Sequence, residues 1–412
     1  MKLLLISQYF PPEIGAGATR SETIVRYLSE LDWEIEVISE LPNYPTGSIS
    51  KGYKKRFHTL DRYHNAFIHR VWVWANARSN NVEKLCLFIT FLFTSLLYVV
   101  QHPKKYDIVY ASSPPIFAAV AGCLIAKLLR SQFVLEIRDI WPDAAVDIGS
   151  VDKKSLMYKI SKTVERWLYK QSDLIVPVTD ASADIIRKRA PGKNISVISN
   201  GVDLDLFKPV DHPEAIIDEP LDKHKFRVGY VGSLSVIHDL RTVVKAAKLC
   251  EDDPDIEFII IGDGGQRQTF LNALEQEKPN NLIWLGLKNH DKIPAYISSF
   301  DVAINPIYDY EIFESIMTVK FYEYLACNTP VITTGRGLMK MIGDRICSVF
   351  TIEPEQPKLL ADKIKELKTE KDTMKQLASN AREYIVKHYS RKQLNASLSE
   401  LLKELVSSNG RR

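Results

Sequence analysis

Cysteine is scarce in this chain. Five occur in 412 residues, Cys86, Cys123, Cys250, Cys327 and Cys347, scattered, odd in number and without metal-ligand spacing. That argues against a structural zinc and for a reducing compartment. An excess of charge is also lacking: 54 lysines and arginines against 51 aspartates and glutamates leave +3, too little to suggest a nucleic-acid partner. No secretory leader is legible. The short apolar stretch after the lone Lys2 runs into Pro11-Pro12 without a cleavage site, so the expected location is cytoplasmic. No internal repeat or low-complexity tract stands out. No strand leads directly into G-x-G-x-x-G, which disfavours an NAD-dependent oxidoreductase. What remains is 45% hydrophobic and 25% charged, the composition of an ordinary globular protein long enough for two or three domains.

The most informative stretch is residues 315–334, SIMTVKFYEYLACNTPVITT. Positions 318–327 read as a helix with Phe321 and Leu325 on its buried stripe. Asn328 suits the left-handed position after a helix, and Pro330 cannot continue one. Apolar strands flank it, DVAINPI before and PVITT after, which makes a βαβ unit with ligands expected at the carboxyl ends of the strands. Lys320 and Glu323 share one face near the helix start. Helix N–H groups and a lysine together suit a phosphate, and a carboxylate can accept two ribose hydroxyls. A surface ion pair is the plainer reading.

Earlier in the chain, residues 2–7 read as a buried parallel strand, and Gly15-Ala16-Gly17 precede a helix over 23–31. The glycines lie too far beyond the strand for a dinucleotide fingerprint, and Arg20 stands where its third glycine belongs. Residues 41–57 read as loop. Lys51, Lys54, Lys55, Arg56, Arg62 and Arg70, with His58, His64 and His69, form the most basic part of the chain: a solvated face, or a patch for anionic lipid. Residues 85–100, LCLFITFLFTSLLYVV, carry no charge and are shorter than the roughly 20 residues a spanning helix needs. They suit a buried core helix or one lying in a membrane interface. Residues 133–137 read as a strand with Arg138-Asp139 at its carboxyl end. An arginine there cannot act as a general base but can stabilise negative charge. An ion pair of Arg138 with Asp139 or Glu136 is the structural alternative. Residues 208–224, polar and proline-bearing, read as a linker. A second α/β domain follows, with a glycine turn at Gly232-Ser233 and an anion-suited turn at Gly262 to Gly265 with Arg267.

KFYEYLACNTPVI, EIRDIWP, NGVDLDLF and IGDGGQR resemble the family-4 retaining glycosyltransferases. The resemblance covers nearly the whole chain and implies the α/β GT-B fold, two Rossmann-like domains facing across a cleft. It implies an acceptor-side domain over 1–207, a linker over 208–224, a nucleotide-sugar domain over 225–390, and a last helix, about 391–406, packing back on the first domain. By the same resemblance, the donor nucleotide falls to Gly232, Ser233, Gly262, Arg267, Gly286, Leu287, Lys320 and Glu323. Catalysis falls to Arg138, Asp139 and Lys320, and the acceptor or cleft loop to Gly15, Gly17, Arg20, Asn43 and Tyr44. Asn43 and Tyr44 belong to a segment, 43–47, similar to one in a branch that builds bacterial surface polysaccharides. The sequence departs from the family at four positions. Ser315 replaces the first of two glutamates, Arg138 a histidine, and Ser233 and His238 an arginine and a lysine for the diphosphate.

The reading is therefore a retaining transferase. It moves a sugar, such as N-acetyl-L-fucosamine or another N-acetylated hexosamine, from a UDP-sugar to a lipid-linked saccharide at the inner-membrane surface. Neither a metal nor a further cofactor is expected, and the Asp203-Leu204-Asp205 pair is read as part of the interdomain junction. The rivals are a sugar-nucleotide 2-epimerase of the same fold and a non-catalytic, membrane-associated carbohydrate-binding protein.

Overall fold

The computed structural model describes residues 1–412 except positions 45, 77–79, 347 and 410–412. Pro45 of the 43–47 segment and the fifth cysteine, Cys347, thus lie outside the described residues. The chain divides into two compact units, unit 1 (Met1–Asn200 with Lys392–Arg412) and unit 2 (Gly201–Arg391).

Unit 1 carries strands β1 (Lys2–Ile6), β2 (Glu34–Glu40), β3 (His58–Tyr63), β4 (Ala66–Val71), β5 (Ile108–Ser113), β6 (Gln132–Ile137) and β7 (Leu174–Pro177). Its helices are α1 (Ala16–Ser29), α2 (Asn81–Gln101), α3 (Ile116–Leu129), α4 (Asp143–Asp147), α5 (Leu156–Gln171) and α6 (Asp180–Arg189). The strands form one sheet in the order β3-β4-β2-β1-β5-β6-β7, parallel except for the antiparallel edge pair β3–β4. Unit 2 carries β8 (Phe226–Val231), β9 (Ile256–Ile261), β10 (Leu282–Trp284), β11 (Val302–Asn305), β12 (Val331–Thr333) and β13 (Val349–Thr351). Around them pack α7 (Leu240–Leu249), α8 (Arg267–Glu277), α9 (Ile293–Ser298), α10 (Val319–Ala326), α11 (Leu338–Gly343), α12 (Pro357–Thr369) and α13 (Lys371–His388). The sheet order is β10-β9-β8-β11-β12-β13, all parallel. Strands covered on both faces must be apolar throughout, which is why KLLLI and IEFIII are nearly unbroken.

The two sheets share a doubly wound plan. Strand order reverses between β1 and β5 in unit 1 and between β8 and β11 in unit 2. Beside each reversal, neighbouring loops leave the sheet in opposite directions and open a crevice at the strands' carboxyl ends. The last helix, α14 (Arg391–Asn409), buries Leu398, Leu402 and Leu405 in the core of unit 1, and Trp33 Nε1 donates to Ser399 Oγ at 2.8 Å.

Four sequence expectations need correction. Helix α1 begins at Ala16, not near 23, because the small residues Ala16, Gly17 and Ala18 hide the helical period. The apolar helix α2 has 21 residues, since Asn80 caps it by accepting from Glu83 N and adds a turn ahead of the uncharged run. Part of the basic stretch is the hairpin β3–β4. Its Arg70 is buried against Asp61 and the Phe10 carbonyl, and its His69 against Glu36 and Tyr98, so neither belongs to a solvated face. Residues 208–224 are not a free linker. Val210 N donates to Ser298 Oγ at 3.1 Å, Asp218 N to Tyr296 Oη at 3.3 Å, and Glu219 pairs with Lys288, all within unit 2. Prolines and charges mark irregular backbone, and packed irregular backbone reads the same as loose.

Candidate functional site

In unit 2 the expected donor residues gather at the carboxyl end of β8. Tyr324 of α10 ties the helix to that strand, accepting from Val231 N at 2.9 Å and donating to Val231 O at 3.0 Å. Phe321 and Leu325 are wholly buried, as their spacing predicts, and Asn328 follows at φ 61°. This anchoring carries Lys320, only 8% exposed, to the turn after β8. A Cβ built on Gly232 would lie 2.6 Å from Lys320 Nζ, so only glycine lets the ammonium approach the backbone there. Gly262, at φ 133°, packs so tightly on the same turn that its Cβ would lie 1.9 Å from Gly232 O. Gly262 N donates to Gly286 O at 2.8 Å. The turns after β8, β9 and β10 are thus held side by side, with Ser233 and Leu287 exposed on them.

The ammonium of Lys320 has three N–H donors. One reaches His238 Nε2 at 2.6 Å and one Tyr230 Oη at 3.0 Å, while the Tyr230 ring lies 4.5 Å below it. His238 Nδ1 faces Pro306 O at 3.3 Å, which sets the tautomer: Nδ1 donates and Nε2 accepts. Among the described residues no carboxylate stands within ion-pair distance of Lys320. Burial lowers its pKa to about 7, against an opposing pull from Glu323. Burial, and then the Lys320 charge, hold His238 well below the usual histidine range. The surface Lys320–Glu323 pair is therefore not formed. Glu323, a turn along, is pushed up by burial. Arg267 is half exposed, pairs with Asp263 at 3.1 Å and lies over Trp284 at 5.0 Å. Ser315 is buried.

In unit 1, Arg138 stands at the carboxyl end of β6 and meets the first turn of α1. A Cβ on Gly17 would lie 2.7 Å from Arg138 Nη1. Arg138 donates through Nη2 to the Pro114 carbonyl, and its buried Nε has no hydrogen-bond partner among the described residues. Nearby in sequence, Trp141 Nε1 is buried without one as well. The Asp139 carboxyl is pushed up by burial, more than Arg138 pulls it down. Gly15 is the N-cap of α1. Arg20 and Asn43 need correction as ligand-facing residues. Arg20 is buried in an ion pair with Glu136 (2.8 Å) that Tyr110 also joins, and it holds the Ser199 and Ile198 carbonyls. Asn43 is buried, donating to Glu40 at 2.7 Å and Leu41 O at 2.9 Å. Tyr44 is exposed beside Tyr9. Asp203 caps a turn, accepting from Asp205 N and Leu206 N.

Tyr230 and His238 are members of the Lys320 cluster that sequence reasoning did not assign. His238 stood out only as a departure from the family pattern. Its partner lies 82 residues away, a separation no local spacing reports.

Comparison with known proteins bears on the family and the fold. Residues 17–206 match the model of Glycosyltransferase Family 4, and residues 211–384 that of Glycosyl transferases group 1. The chain is 22% identical over 380 residues to WcaI of Escherichia coli K12, a glycosyl transferase assigned to colanic acid biosynthesis. The match spans 89% of this chain and 92% of WcaI. In structure it is similar to the sucrose-phosphate synthase of Thermosynechococcus elongatus (TM-score 0.77, 16% identity, 99% and 100% of the two chains). It is also similar to Anabaena HepE solved with UDP and glucose (TM-score 0.69, 17% identity, 98% and 99%). These are two-domain GT-B structures, and that is the fold here.

Proposed function

We propose a specific reaction for this chain, which belongs to the group 1/family 4 glycosyltransferases and acts in bacterial polysaccharide biosynthesis. It transfers a sugar from a UDP-sugar, with retention, to a lipid-linked saccharide at the cytoplasmic face of the inner membrane. The donor sugar is an N-acetylated hexosamine or its deoxy form, N-acetyl-L-fucosamine being the case closest to the sequence motifs. The observation that carries the donor half is Lys320: a buried ammonium with no carboxylate partner, beside a glycine turn. A buried charge left uncompensated is costly, and an anion supplied by the ligand offsets that cost. Two of its donors are spent on His238 and Tyr230, and the third is left for a diphosphate oxygen. The backbone N–H of Ser233 adds to it, that of Gly232 being held by Ile261 O at 2.9 Å, and Glu323 is suited to the ribose hydroxyls. That HepE was solved with UDP favours this nucleotide.

Chemically, departure of a diphosphate needs positive charge more than a base. Lys320 supplies it at the leaving group, and Arg138, which cannot take a proton, serves as a second cation for the reacting sugar. Each such donor contributes on the order of 3 kcal/mol to the transition state.

A thermal-shift panel with UDP, GDP and ADP tests the reading on wild type and Lys320→Met. Ligand at about 100 times its dissociation constant adds about 2.7 kcal/mol to the state that binds it. A shift with UDP, clearly reduced in the variant, is expected. A shift with GDP instead changes the donor, and no response to any nucleotide sinks the donor site.

A further inference from the structure

Helix α2 is apolar on the face it should not need to be. Its inner face, with Leu87, Phe91 and Val99, is buried in unit 1. Its outer face carries Val82, Leu85, Phe93, Leu97 and Val100, all exposed, with Phe93 at 64%. These positions recur every three to four residues, or a multiple of that, so they lie along one stripe down the helix. A helix packed on a core ordinarily turns polar side chains outward.

The stripe is not isolated. Trp74 N donates to Thr90 Oγ1 at 3.0 Å, so the exposed Trp74 sits beside the middle of α2. Leu124 and Leu128 of α3, the neighbouring helix, are exposed as well. Ahead of the hairpin, Phe57 is 68% exposed and stacked on Trp72. It follows Lys51, Lys54, Lys55 and Arg56, all exposed, in a stretch with no acid between Glu40 and Asp61.

We infer that α2 lies in the plane of an anionic bilayer surface. Its Val82–Val100 stripe sits at the boundary between headgroups and acyl chains, Trp74 and Phe57 at headgroup depth, and residues 51–56 against lipid phosphates. Apolar burial and attraction to anionic lipid then act together. By length and composition Val82–Gln101 would also be sufficient to cross a bilayer. Its inner face, however, is packed against β2, β4 and α3, and a spanning helix would have to surrender those contacts. This deepens the proposed reading, because it sets unit 1 where a lipid-linked acceptor is found, but it rests on unit 1 alone.

The test is sedimentation of the full chain with vesicles of phosphatidylglycerol and phosphatidylethanolamine, and with phosphatidylcholine vesicles. Binding to the anionic vesicles at low salt is expected, weakened at high salt and by Lys54→Glu/Lys55→Glu. The outward-facing Phe93→Ser/Leu97→Ser variant should bind about tenfold more weakly. An unchanged melting transition of unit 1, read by calorimetry, reports that the variant is folded. Protein bound to membranes should be released by alkaline carbonate. Four results overturn the inference: no vesicle binding, unchanged binding by the stripe variant, resistance to carbonate, or a stripe variant that turns a dimer into a monomer while binding vesicles as before. A UDP shift without vesicle binding defeats this inference and leaves the donor reading standing. Vesicle binding without any nucleotide response does the reverse.

Discussion

Lys320 bears the cost of its burial while it is charged. Its pKa is lowered by burial to about 7, from an ordinary 10.5. Without ligand, the folded state therefore loses that proton before the unfolded state does. Stability should rise with pH between about 7 and 10.5, where the unfolded chain holds more protons. A diphosphate reverses the preference, because it stabilises the charged form. Above pH 7, UDP binding should draw a proton from solvent, and calorimetry in buffers of different ionisation enthalpy should read that uptake. The dissociation constant should rise with pH, by at most about tenfold per unit for one proton. Lys320→Met should abolish the slope. It should also cost about 1.5–3 kcal/mol of UDP binding, roughly 10- to 150-fold, the range of a charge-assisted hydrogen bond. At pH 6 the unliganded variant should melt above wild type, having no buried charge to shield. Arg20 gives the opposite case. It compensates Glu136, whose side chain is 1% exposed. Arg20→Ala should destabilise by about 3–5 kcal/mol in denaturant melts and leave UDP affinity in place. From sequence both were assigned to ligands, Lys320 to the donor and Arg20 to the acceptor or cleft loop. What separates them, a carboxylate 116 positions away, is a product of strand order.

At the scale of elements, the glycine turns after β8 and β9 are one device. Gly262 holds a φ of 133° and approaches Gly232 O too closely for any side chain. Gly262→Ala combines backbone strain with overpacking and should cost about 2–5 kcal/mol. It should also weaken UDP binding by moving the turn that faces Lys320. A thermal melt with and without UDP separates the two effects. Elements with strong apolar runs or caps were legible: β1, β6, and α10 with its left-handed Asn328. Where small residues silence the period, as at Ala16 to Ala18, the helix start was not. The β3–β4 hairpin was hidden too. Its edge position leaves Leu60, Arg62 and Phe67 exposed while His69 and Arg70 are buried, so neither polarity nor charge reports which face is inside.

At the scale of the molecule, unit 1 is completed by the far end of the chain. Leu398, Leu402 and Leu405 of α14 enter a core that also holds Leu3, Leu28 and Trp33. Three leucines at about 2 kcal/mol each give roughly 6 kcal/mol. That is comparable with the whole stability of a domain, about 5–15 kcal/mol. Ending the chain after Arg391 should therefore unfold unit 1 or lower its melting temperature sharply. Unit 2 keeps β8 to β13, α10 and the Lys320 cluster, whose contacts with Tyr230 and His238 are internal to it. Its transition should persist and should still move up with UDP. Calorimetry of the shortened chain reads both transitions at once. A single UDP-responsive transition at the wild-type temperature would mean that α14 contributes little to unit 1. Loss of the UDP response along with unit 1 would mean that the donor half does not stand alone, and that the division of stability drawn from the two cores is wrong.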